Sequence, residues 1–249
     1  MDVVNGGASY YTSAEELGTL AFRGIYTEPD LVLIHTGGND IYPLMSPRAY
    51  QPDYSHWRTV DGGYDNLSRN DLFRAAWIVP SWTFRVWATL RLKPDAMMRA
   101  MLSKELDSAM NILLDTNDFS QRQPVGLERN LRSMIAITRA HGATPVTILF
   151  NQHSERYHQF LLPFLKNDPQ KYAEVRQRAD MAMSMVNQTI LRVSNELNVP
   201  VIPYHLFTPS HDDYWQDQCH LNEEGLVEKA MFIGKWLVEL DVLKGAVNN

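Results

Sequence analysis

Hydrophobic and polar positions along the chain follow two alternating periods. In DLVLIHTGGND, from Asp30 to Asp40, the apolar run Leu31 to Ile34 predicts a buried strand reaching Thr36. The chain then breaks into the polar, glycine-permitted turn Gly37-Gly38-Asn39-Asp40. Before it, Leu17, Leu20, Ala21 and Ile25 share one helix face. Ser13-Ala14-Glu15-Glu16 reads as a capping box with Ser13 as the N-cap, and Met1 to Val4 as a short strand. Beyond Pro124, Leu127, Leu131, Met134 and Ile135 mark a helix closed by His141-Gly142, and PVTILF follows as a strand. Val175, Ala179, Ala182, Val186, Ile190, Val193 and Leu197 step along one long helix. VPVIPY is the next short strand, and Asn222 caps a last helix from Glu223 to about Leu240.

Strands alternating with helices predict an α/β fold, a parallel sheet covered by helices on both faces, with ligands at the carboxyl ends of the strands. Asn39 and Asp40 fall at such an end. Between residues 41 and 124 the pattern loosens into turn-rich, aromatic and then helical stretches, so the expected organisation is one domain over residues 1–249 with a helical and aromatic insertion at about 41–124. Most Trp and Tyr residues of 50–90 are expected to pack this insertion onto the core.

Composition changes the picture mainly by exclusion. The chain carries a net charge of −6 and has no Lys/Arg cluster, so nucleic acid is not an expected partner. A single cysteine, Cys219, forbids an internal disulfide and reads as a small packed residue. The apolar run Ala75 to Leu90 contains Pro80 and Arg85 and is shorter than the roughly 20 residues of a membrane span. No signal peptide follows Met1, and localisation stays open.

Candidate chemistry concentrates in two places. In DQCHLNEEG, Asp217 precedes His220 by three residues, a spacing that lets the carboxylate hold one imidazole nitrogen and fix the tautomer of a general base. On its own D-x-x-H is common in surface loops; GGND after a buried strand gives it a partner. His205, His211, Asp212 and Asp213 have ligand chemistry without regular spacing and read as a polar loop, so no metal is expected. His35 reads as a strand-end residue under the turn, and His153 and Tyr157 as residues on the substrate side.

GGND and DxxHLNxxG resemble the third and fifth conserved blocks of the SGNH, or GDSL, hydrolase family, and DVVNGGASYYTSAEELGTLAF resembles its second block. The resemblance implies a three-layer, flavodoxin-like α/β/α sandwich and a serine ester hydrolase acting on small-molecule, glycan or lipid esters without a cofactor. It implies His220 as base, Asp217 as its orienter, Asn39 as a side-chain oxyanion donor, the backbone of Tyr10 as a second donor, and Gly38 and Asp40 as supports of the turn. Tyr10 stands where the family places a glycine. The family's nucleophile is a serine in a G-D-S or G-S-T turn after the first strand, and neither G-D-S nor G-G-S occurs in this sequence. The expectation is therefore an amino-terminal part, first strand included, missing from the sequence. Ser9 in Gly7-Ala8-Ser9 is the alternative nucleophile within it. A binding module that keeps the fold without turnover is the competing reading.

Overall fold

The computed structural model describes residues 2–8, 11–45, 50–54, 119–156 and 169–243. Expectations for Ser9, Tyr10, Tyr157, the run 75–90 and most of the insertion lie outside these residues. Helix α1 (Ser13–Phe22) is capped by Thr12, not by Ser13. The capping box is shifted by one residue: Thr12 Oγ1 accepts from Ala14 N, and Glu15 returns a carboxylate to the Thr12 N–H at 2.9 Å. Ser13 is instead the first helical residue and is fully buried. Ile25 lies past the helix in a 3₁₀ turn, Gly24–Thr27, where it joins the buried residues.

Strand β1 (Leu31–Ile34) is followed by helix α2 (Ile41–Met45), helix α3 (Val125–Ala140), strand β2 (Thr144–Ile148), helix α4 (Pro169–Glu196), strand β3 (Val201–Ile202) and helix α5 (Glu223–Glu239). The three strands are parallel in the order β1-β2-β3, with Leu33 opposite Val146 and Ile148 opposite Ile202. β1 stops before His35 and Thr36, and β3 covers only the centre of VPVIPY. Residues 2–8 form no strand. Val3 and Val4 are 83% and 68% exposed, and with no strand beside them among the described residues, this apolar pair has no ladder to join.

Alternation along the strands divides the core in two. On one face Ile34 and Leu149 pack with Leu127, Leu131 and Ile135 of α3 and Val186, Ile190 and Val193 of α4; Leu44 of α2 and Phe119 join them. On the other, Val146, Ile148 and Ile202 meet Leu237 of α5, with Tyr204, Phe207, Trp215 and Leu221. Sheet between helices gives the α/β/α sandwich. Thr147, pointing toward α4, satisfies its hydroxyl against Ser194 Oγ at 2.8 Å. Asn222 caps α5 as the sequence pattern predicts, its side chain accepting from Gly225 N at 2.9 Å. No helix among the described residues is long and apolar enough to cross a membrane.

Candidate active site

The turn after β1 needs both of its glycines. Gly37 has φ +102°, and a Cβ there would lie 2.5 Å from Val186 Cγ1 of α4; one on Gly38 would lie 2.3 Å from the Phe150 ring. The Phe150 ring is stacked on His35 at 5.0 Å, and its main chain is tied to α4, where Asn187 donates to its carbonyl and accepts from its N–H at 2.9 and 2.8 Å. So held, the turn presents Asn39, whose Nδ2 donates to Tyr11 O at 2.9 Å. One of its two amide hydrogens is used in that bond, which ties the GGND turn to the segment leading into α1.

Asp40 points the other way, into the protein. Its carboxylate accepts from Ser13 N at 2.9 Å, from Ser13 Oγ at 2.5 Å and from Tyr54 OH at 2.5 Å, while Asn130 of α3 donates to Ser13 Oγ at 3.0 Å. Burial pushes the Asp40 carboxyl up, and the Ser13 and Tyr54 hydrogen bonds pull it back part of the way. Glu16, one turn along α1, is raised to about 8 by burial and then by the Asp40 charge. Tyr54, buried at φ +60°, is raised by burial and by Asp40. Asn130 was visible in the sequence as a polar residue within the apolar face Leu127–Leu131–Met134. Nothing marked Tyr54 or Glu16.

The loop before α5 holds the second cluster. Asp217 Oδ1 accepts from the N–H groups of Cys219 and His220, each at 2.8 Å, and Oδ2 meets His220 Nδ1 at 2.7 Å. Burial alone would raise the Asp217 carboxyl, but the bonds from His220 and the two backbone donors bring it to about 2. Asp217, and then Cys219, raise His220 to about 10. With Nδ1 engaged, Nε2 is left to face outward from a side chain that is 71% exposed. Among the described residues, no serine hydroxyl is bonded to it. Cys219 Sγ lies 3.5 Å from His220 Nδ1.

His153 anchors this loop to the carboxyl end of β2: its N–H donates to Gln218 O at 2.7 Å, and its Nε2 meets Asp212 Oδ1 at 2.6 Å. Arg156 binds the same Asp212 through its carboxylate and its carbonyl, at 2.7 and 2.8 Å. Asn151 Nδ2 adds a bond to Phe207 O at 2.6 Å. Asp212 is thereby lowered, first by His153. The polar-loop residues His205, His211, Asp212 and Asp213 are not gathered around a point. The grouping of ligand-type side chains among the described residues is Asp217, Cys219 and His220, whose ligand atoms lie within 4.8 Å of one another. His35 sits under the turn, stacked on Phe150 at 5.0 Å and edge-on to Tyr204 at 5.5 Å; burial, then Lys229, lowers it to about 3. Through Phe150, His35 and Tyr204 the GGND turn and the end of β3 share one packed base. Asn39 therefore lies past β1, and the Asp217–His220 loop follows β3 and is tied by His153 to the segment past β2, so both are at the carboxyl edge of the parallel sheet.

The model of the GDSL-like lipase/acylhydrolase family matches residues 1–226. No curated protein matches the chain. A crystal structure of a GDSL-like lipase from Bacteroides thetaiotaomicron VPI-5482 is similar, with 14% identity and a TM-score of 0.47 over 93% of this chain and 73% of that one. With a match that runs from the first residue into α5 and takes in both the GGND turn and the Asp217–His220 loop, the chain belongs to the GDSL-like lipase/acylhydrolase family, a family of hydrolases.

Proposed function

We propose that the protein is an ester hydrolase of the acyl or O-acetyl esterase kind, with His220 as general base and Asp217 as the residue that orients it. The observation that carries this reading is the Asp217–His220 pair: one carboxylate oxygen is pinned by two backbone N–H groups and the other holds Nδ1, so Nε2 is the nitrogen aimed outward at 71% side-chain exposure. In this mechanism Nε2 takes the proton of a serine hydroxyl as that oxygen attacks the ester carbonyl, then returns it to the leaving alkoxide. Water repeats the sequence on the acyl-enzyme. Asn39 supports the developing oxyanion, because Tyr11 O occupies one amide hydrogen and leaves the second for the substrate. Gly38 and Asp40 hold that amide in place, and Tyr10 N is the second donor; Ser9 is the alternative nucleophile, in a second arrangement that gives up the Tyr10 donor. The domain is read as one unit with an insertion at about 41–124. Substrates are small-molecule, glycan or lipid esters, with no nucleic acid, cofactor or catalytic metal.

A second reading, a binding module of the same fold without turnover, is favoured by one observation: among the described residues no serine is bonded to His220. Two measurements separate them. Hydrolysis of p-nitrophenyl acetate should fall by on the order of 10³ or more in kcat for His220→Ala, and near-normal turnover in that variant removes His220 from the mechanism. A fluorophosphonate probe should label one serine, and peptide mapping decides whether it is Ser9. No labelling together with no hydrolysis supports the binding module.

A further inference from the structure

We propose that Asp217, Cys219 and His220 form a binding site for a thiophilic divalent cation of the zinc type, and that an ion bound there switches off the base. The sequence pattern led to the expectation of no metal, with Cys219 as packing. The folded loop instead turns its thiol toward the imidazole. The site itself stands on geometry; its consequence for activity rests on the esterase reading above.

Three side chains of different chemistry converge from four consecutive positions, with carboxylate oxygen, Sγ and Nδ1 all within 4.8 Å of one another. Around a tetrahedral zinc-type ion, with bonds of about 2.0–2.3 Å, ligand atoms stand about 3.3–3.7 Å apart. Sγ and Nδ1 are already 3.5 Å apart. Oδ2 and Nδ1, at 2.7 Å, need only open by roughly half an ångström. The loop is arranged to allow this. Asp217 Oδ1 is fixed by the N–H groups of Cys219 and His220, each at 2.8 Å, so Oδ2 turns about a carboxylate that stays anchored. Exposure of the His220 side chain gives the ion a path in and leaves the fourth position to water. One thiolate, one imidazole and one carboxylate suit a borderline-soft ion and offer too few oxygens for magnesium or calcium.

The effect on the base follows from which nitrogen is taken. The ion displaces the protons of the Cys219 thiol and of Nδ1 from the imidazolium to solvent. The one proton left on the ring is then on Nε2, the nitrogen that must accept from the nucleophile. Asp217 is withdrawn from its orienting role by the same event. An ion at this site is therefore an inhibitor.

The chain has one cysteine, so a thiolate-to-cobalt charge-transfer absorption can arise only from Cys219. Titrating the full chain with Co²⁺ should produce that band in the wild type and not in Cys219→Ser or Cys219→Ala. Zn²⁺ should inhibit p-nitrophenyl acetate hydrolysis, chelator should restore it, and both cysteine variants should keep basal activity while needing about tenfold or more Zn²⁺ for half-inhibition. Absence of the cobalt band in a folded wild-type chain, or equal Zn²⁺ sensitivity in wild type and variants, overturns the proposal. If no hydrolysis is found at all, the esterase reading falls, and the cobalt band alone decides the site.

Discussion

Asp40→Ala removes the acceptor of three hydrogen bonds at once. The donors are Ser13 N at 2.9 Å, and Ser13 Oγ and Tyr54 OH, both at 2.5 Å. Ser13 and Tyr54 are 0% and 1% exposed, so water cannot take the place of the carboxylate. Buried donors left without partners cost about 1–3 kcal/mol each, and relief from burying a disfavoured charge offsets part of that. The net loss should be on the order of 3–5 kcal/mol, a large share of the 5–15 kcal/mol typical of a domain. Asp40→Asn keeps the shape: its carbonyl can accept from Ser13 N while its amide donates to the two hydroxyl oxygens, which rotate to accept. Both hydroxyl hydrogens then lose the acceptor that the carboxylate gave them, so that variant should lose less than the alanine one, on the order of 1–3 kcal/mol. Urea unfolding followed by circular dichroism at constant slope measures both. Because the same turn carries Asn39, esterase kcat should fall in the alanine variant beyond what the folded fraction explains. An alanine variant within about 1 kcal/mol of wild type, or an asparagine variant as damaged as the alanine one, would refute the idea that this network holds the turn.

Glu16 has a folded pKa of about 8 against an ordinary value of 4.5, so its ionised form is disfavoured in the fold and stability falls as pH rises from 4.5 to 8. Glu16→Gln should match wild type at pH 4 and exceed it by roughly 4 kcal/mol at pH 8, and parallel pH–stability curves would contradict this. His220, raised by Asp217, accepts a proton only when neutral, so kcat/KM should climb with pH through an inflection above 6.5. Asp217→Asn should lower both that inflection and kcat, the latter by on the order of 10³–10⁴; an unmoved inflection would separate Asp217 from the base. Asn39→Ala should cost on the order of 10²–10³ in kcat with little change in KM. A change confined to KM would make Asn39 a substrate-binding residue.

Local sequence determined those features whose physics is local. Leu127 to Ile135 and Val175 to Val193 repeat at helical period over many turns, and α3 and α4 form where that repeat predicts them. Asp217 and His220 are three residues apart, close enough for one loop to bring carboxylate and imidazole to 2.7 Å whatever surrounds it. Gly37 announces a backbone conformation that other residues resist, and it adopts φ +102°. The rest depended on partners distant in the chain. Thr12 and Ser13 are both competent caps, and the choice fell to Thr12 because Asp40, 27 residues on, draws Ser13 inward. The Val3–Val4 segment has strand composition and no strand, because a ladder requires a neighbour. Tyr54 and Asn130 reach the Asp40 network from opposite ends of a long intervening stretch; the polar Asn130 on an apolar helix face hints at a buried partner, but nothing along the chain says that the partner is Ser13, and no spacing marks Tyr54. The Cys219 thiol faces the imidazole because the loop folds back between Trp215 and Leu221, which pair as an antiparallel bridge. Periodicity is a property of a segment and can be read along it; burial, and with it the pKa of Glu16 and the partners of Asp40, exists only once the segments have packed.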